Sequence, residues 1–126
     1  MYTSPGGPKS VQCFSDQTAD ETLGPWIDVR GYSYITFYVT GEGTVSSGVI
    51  TFEEAAPKVF LANGGGEVVG ETTGAYSSIT TYSASGVTGG AQAAVHITVA
   101  AYCYVRARIS TAIGGGGDVT VNCVVH

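Results

Sequence analysis

Apolar residues recur at every second position along much of this chain. Ile35, Phe37 and Val39 are separated by Thr36 and Tyr38, with Tyr34 just before them. Val95, Ile97 and Val99 alternate with His96 and Thr98. Cys103, Val105, Ala107 and Ile109 alternate with Tyr102, Tyr104, Arg106 and Arg108. Val119, Val121, Cys123 and Val125 alternate with Asp118, Thr120, Asn122 and Val124. A period of two puts one set of side chains on each face of a strand. Antiparallel sheets tolerate that pattern because one face can stay wet. No segment has a convincing helical period. The long stretch 91–113 lacks Gly and Pro, yet it is rich in Tyr and β-branched residues and reads as two strands.

Turns fall between these runs. The chain has 19 glycines in 126 residues, about twice the usual share of roughly 7%. They cluster between apolar segments, as hairpin turns do. Residues 41–43 read as a turn, and 45–53 as a strand with a bulge at Gly48. Short strands are expected at 11–15 and at 25–29, the latter stopped by Gly31. Segment 16–24 reads as a polar loop with at most a helical turn. Val59-Phe60-Leu61 is a short apolar run, and Asn63-Gly64-Gly65-Gly66 turns the chain. Candidate strands follow at 67–71 and 76–82, then a loop at 83–90. Residues 112–117 join the last two strands as a hairpin. About eight to ten short strands spaced by turn signals predict a sandwich or barrel. The expected fold is an all-β, antiparallel β-sandwich, jelly-roll-like. One domain, 11–126, suffices for this length. Residues 1–10 hold two Pro and two Gly and read as a flexible N-terminal arm. An arm that orders against a neighbouring subunit is the alternative.

Charge narrows the function. Charged residues make up 12% and the net charge is −5, so the concentrated basic patch of a nucleic-acid binder is missing. Nothing reaches the roughly 18 apolar residues of a membrane span, and the start of the chain lacks the pattern of a signal peptide. Neither nucleic acid nor membrane is expected as a partner. The three cysteines, 13, 103 and 123, show no Cys-x-x-Cys spacing. They read as core filler in a protein made in a reducing cytosol. Cys103 and Cys123 are expected on adjacent strands, with their pairing left open.

No constellation of catalytic groups stands out. Segment 114–117 is rich in Gly but has no Lys, and a Val-rich strand follows it, unlike a phosphate-binding loop. His96 and His126 lack metal-ligand spacing. Glu53 and Glu54 are adjacent on a strand, so they face opposite ways and cannot act as an acid–base pair. A salt bridge to an arginine is the plain reading for them. No serine sits in a Gly-x-Ser-x-Gly turn. The expectation is therefore a non-enzyme with no catalytic residue, cofactor or metal. The polar faces of two strands offer Tyr34, Tyr38, Tyr102, Tyr104, Arg106 and Arg108 as candidate partner contacts, since Tyr and Arg are enriched at interfaces. Two plainer readings stand beside that one: Tyr is favoured in strands, and the two strands can belong to different sheets. Trp26, the only tryptophan, reads as packing at a strand start, with an exposed sugar-stacking ring as the alternative.

Three stretches carry a resemblance. They are Trp26-Ile27-Asp28-Val29-Arg30-Gly31-Tyr32, Val49-Ile50-Thr51-Phe52-Glu53-Glu54 and Tyr102-Cys103-Tyr104-Val105-Arg106-Ala107-Arg108. A Gly-rich turn and Asp118-Val119-Thr120-Val121 follow the third. Over residues 24–54 and 99–125 the pattern resembles small β-sandwich virion proteins of tailed phages, among them head decoration, or cement, proteins. The resemblance implies a capsid decoration protein on the virion surface. It would bridge neighbouring subunits of the major capsid protein and associate with itself, a trimer being favoured. It adds no catalytic residue. Residues 1–15, 62–66 and 85–90 are the first expected contacts. The alternative placement is a tail, neck or fibre subunit, with a carbohydrate-binding role resting on Trp26 and the Tyr-rich strands.

Overall fold

The computed structural model describes residues 7–61 and 68–126. Among the described residues nine strands form two antiparallel sheets: β1 (Lys9–Gln17), β2 (Thr22–Leu23), β3 (Ile27–Asp28), β4 (Tyr34–Glu42), β5 (Ser47–Leu61), β6 (Val68–Ser83), β7 (Gln92–Thr98), β8 (Tyr104–Gly114) and β9 (Asp118–Val125). A 3₁₀ segment, Ala84–Gly90, joins β6 to β7. One sheet has the order β1-β9-β4-β7. The other has the order β2-β8-β5-β6, with β3 pairing the same strand, β8, as β2.

The pairings are nested. First meets last in β1–β9, then β2 and β3 meet β8, β4 meets β7, and β5 meets β6. The chain is thus one long hairpin folded over into two sheets, and contacts β4–β9 and β5–β8 close the fold-over. That connectivity is a jelly roll. The expected all-β sandwich is therefore what forms.

The alternation explains the layers. Ile35, Phe37, Val39, Val121, Cys123 and Val125 point inward from the first sheet, and Ile50, Phe52, Val105, Ala107 and Ile109 from the second. Phe37 and Phe52 meet at the centre with ring centroids 4.5 Å apart. Two glycines are demanded by this packing. Gly48 has φ +124° at the expected bulge, where β5 slips against β8, and a Cβ there would press on Ile113. Gly41 lies against the Val87 carbonyl with no room for a side chain, which docks the 3₁₀ segment onto β4.

Several elements differ from expectation. Segment 16–24 holds β2 and two left-handed residues, Asp16 (φ 52°) and Glu21 (φ 62°), rather than a helical turn. The Val59 run continues β5, and the two candidate strands after it are parts of one strand, β6. Continuous pairing from Val49–Ser83 to Leu61–Val68 overrides the local glycines through bulges. β1 starts at Lys9, which pairs with Val125, so the expected arm boundary after residue 10 falls inside a strand. Residues 1–6 of that arm lie outside the described residues.

Candidate functional site

The three stretches that carry the resemblance come together on the outer face of the five-stranded sheet. Register places Glu53 on β5 opposite Arg106 on β8, and Thr51 opposite Arg108. Glu53 therefore sits between both arginines. Arg106 Nε donates to its Oε1 at 2.9 Å, and Arg108 Nε to its Oε2 at 2.9 Å. Glu53 is only 1% exposed and Arg106 8%. Arg108 also reaches Glu21 at 2.8 Å, which ties the loop before β2 to the sheet.

The first stretch closes the group. Trp26 precedes β3, and its ring lies 4.3 Å from the Arg106 guanidinium carbon, with the Tyr76 ring of β6 at 4.8 Å. A guanidinium over aromatic faces gains cation–π attraction, more so when shielded from water. Asp28 and Arg30 form an ion pair at 2.8 Å, and Arg30 stacks on Tyr104 while donating to its hydroxyl at 3.0 Å. The Arg30 hydrogen bonds, above all, hold the Asp28 carboxyl below its ordinary value, against a partial loss of hydration. All three arginines of the chain are thus engaged on one face.

The opposite outer face, on the four-stranded sheet, has a different chemistry. Register sets Ser10, Val124, Thr36 and His96 in one row, and Gln12, Asn122, Tyr38 and Ala94 in the next. Thr120, Thr40 and Gln92 follow. These rows hold no carboxylate, lysine or arginine. Thr36 is buried and shares a hydrogen bond with His96 Nδ1 at 2.9 Å. Tyr34 is 51% exposed and stands beside His126, ring centroids 5.9 Å apart. At one end Asp16, Glu42 and Asp118 bring their carboxylates within 4.8 Å of one another. None of the three forms a salt bridge with a described residue.

The six expected contact residues therefore do not share a surface. Tyr34 and Tyr38 belong to the four-stranded sheet, while Tyr104, Arg106 and Arg108 belong to the other. Tyr102 lies before β8 and packs against the core. The period of two gives each strand's wet face but not which strands share a sheet. Tyr76, 53% exposed, was missed because its segment carries no regular alternation. Residues 62–66, also expected as contacts, lie outside the described residues, whereas 85–90 are exposed apart from buried Val87. Trp26 is half-buried, and its ring plane is inclined 52° to that of Tyr76. The two do not form the coplanar platform expected of a sugar-stacking site. Among the described residues the surface holds no cavity that could enclose a small molecule.

No known family matches the sequence, and no curated protein does. The fold is similar to that of the SPBc2 prophage-derived protein YomS, known from a crystal structure. The two share 18% identity over 99% of this chain and 97% of that one, with a TM-score of 0.49. A likeness of that degree implies nothing about what either protein binds.

Proposed function

We propose that this protein is a capsid decoration protein of a tailed phage, which binds the outer capsid surface and bridges neighbouring major capsid subunits. The observation that carries the reading is the meeting of the three resembling stretches in one network around Glu53, Arg106 and Trp26. The resemblance then rests on a single physical device and not on scattered letters. The device fastens β3, β8 and β5 together and gives the sandwich a stiff wall.

The contact surface in this reading is the neutral part of the outer face of the four-stranded sheet, away from the Glu42–Asp118 row at its end. Interface cores are depleted in charge and enriched in aromatic residues. Tyr34, Tyr38, Gln12 and Asn122 match that composition, and no ion must be stripped of water to cover them. On the other wall Arg106 and Arg108 are each ion-paired with a carboxylate already. The protein acts as a symmetric trimer, so that weak individual contacts add through avidity. Quantitative mass spectrometry of purified virions tests the proposal. A copy number near that of the major capsid protein, or one trimer per few capsid subunits, is expected. A handful of copies, or none, would overturn it.

A further inference from the structure

A second feature lies inside the sandwich, apart from either outer face. Cys13 on β1 and Cys123 on β9 are both in the core, 7% and 1% exposed. Their strands are neighbours: Val11 pairs with Cys123 and Gln12 with Asn122. A bulge then makes Phe14, not Cys13, the partner of Val121. Cys13 therefore sits between the levels of Asn122 and Val121, nearer to Cys123 than a regular diagonal neighbour would be. Both side chains enter the same core from these neighbouring strands. Cys103 stands elsewhere, before β8 in the other sheet, and is half-buried.

The two sulfurs differ chemically. The Cys13 thiol, the Val11 N–H and the Lys9 ammonium all favour a thiolate on Cys123, and together they outweigh burial to bring it below the ordinary thiol value. Cys13 is pushed up, first by its hydrogen bond to Cys123, then by burial and by the neighbouring charge. One sulfur is thus disposed to attack and the other to wait. Burial alone would make both inert. However, β1 is an edge strand, paired on one side only and interrupted by two register shifts. Edge and terminal segments open more readily than the global fold.

We propose that Cys13 and Cys123 form a dithiol–disulfide pair that fastens β1 to β9 on oxidation by a low-molecular-weight disulfide such as oxidised glutathione. When β1 opens, the Cys123 thiolate attacks a glutathione sulfur, forms a mixed disulfide and expels one glutathione thiolate. With Cys123 capped, its charge no longer opposes ionisation of Cys13. Reclosure brings Cys13 back, and it gives up its proton and attacks the Cys123 sulfur. The second glutathione thiolate leaves. The protein loses two electrons and two protons, and one oxidised glutathione becomes two reduced ones. The bond links strands near the two ends of the chain, so it restricts the unfolded state strongly.

The test is oxidation of the folded full chain with oxidised glutathione at about pH 8, quenched with iodoacetamide and read by intact mass and peptide mapping. The expected result is a crosslinked Cys13–Cys123 peptide, a loss of about 2 Da at those sites and a Tm raised by roughly 5 °C or more. Cys103→Ser should give the same crosslink. Cys13→Ala removes the thiol that most favours the Cys123 thiolate, so it should give no crosslink and a glutathione adduct on Cys123 that forms more slowly than the crosslink of the natural chain. Cys13 and Cys123 remaining alkylatable in Cys103→Ser, or a crosslink containing Cys103 in the natural chain, would overturn the proposal.

Discussion

On the outer face of the five-stranded sheet, two arginines, two aromatic rings and a buried glutamate hold one another in fixed geometry. On the outer face of the four-stranded sheet, Thr, Gln, Asn, Ser and Tyr side chains stand in rows with little linking them beyond the Thr36–His96 bond. Both faces flank the same apolar core. The difference lies in what removing a side chain leaves behind. On the first face it leaves an unpaired charge in a shielded place, while on the second it mostly leaves a smaller neutral surface. A network of buried ions makes register specific, because a slip of one residue on β5 would turn Glu53 away from both arginines.

Glu53→Ala should show the contrast most strongly. It strands Arg106, and breaking one side of a buried ion pair costs about 3–5 kcal/mol. Urea denaturation should register that loss, with Tm lower by roughly 10 °C or more. An effect below about 1 kcal/mol would mean that the network is no stronger than an ordinary surface bridge. Trp26→Ala should come next, at about 2 kcal/mol, since it removes half-buried aromatic area and a cation–π contact. Trp26→Phe should recover part of that loss by the same assay. On the neutral face, Thr36→Val removes one hydrogen bond with little change of shape and should cost about 1 kcal/mol. If it matched Glu53→Ala, the contrast between the faces would fail.

The smallest effect concerns Asp28. Its folded-state carboxyl is held below the ordinary value by Arg30. Its contribution is therefore complete above the unfolded value of about 3.9 and is lost as pH falls through the lower folded value. Asp28→Asn should destabilise by less than about 1 kcal/mol at neutral pH. Chemical denaturation repeated well below the carboxylate range should show no difference from the natural chain.

Much of the fold could be read from the alternation of small sets such as Ile35, Phe37 and Val39. Each such set must face a core, and that requirement is local. The partner of Tyr38 was not readable in the same way. Whether β4 lies beside β8 or beside β9 depends on long-range pairing between segments some 80 residues apart, as Tyr38↔Asn122 shows. From the sequence, a salt bridge to an arginine is the plain reading for Glu53 and Glu54 alike. That Glu53 meets two, under a tryptophan, follows only once β3, β5 and β8 are side by side. Tyr76 was lost for a related reason: β6 is bulged, and a bulge resets the alternation that sequence reading relies on.

The most direct test of the account is binding of the purified protein to capsids, comparing Tyr38→Arg with Tyr76→Arg. Each adds the same charge, one on each outer face. The account predicts that Tyr38→Arg weakens binding at least about tenfold, since a charge in a desolvated contact costs more than about 1.4 kcal/mol. Tyr76→Arg, which sets a second cation beside Arg106, should bind like the natural chain when compared at equal concentration of folded protein. Loss of binding by Tyr76→Arg with Tyr38→Arg unaffected would contradict it, and so would a natural chain that does not bind capsids.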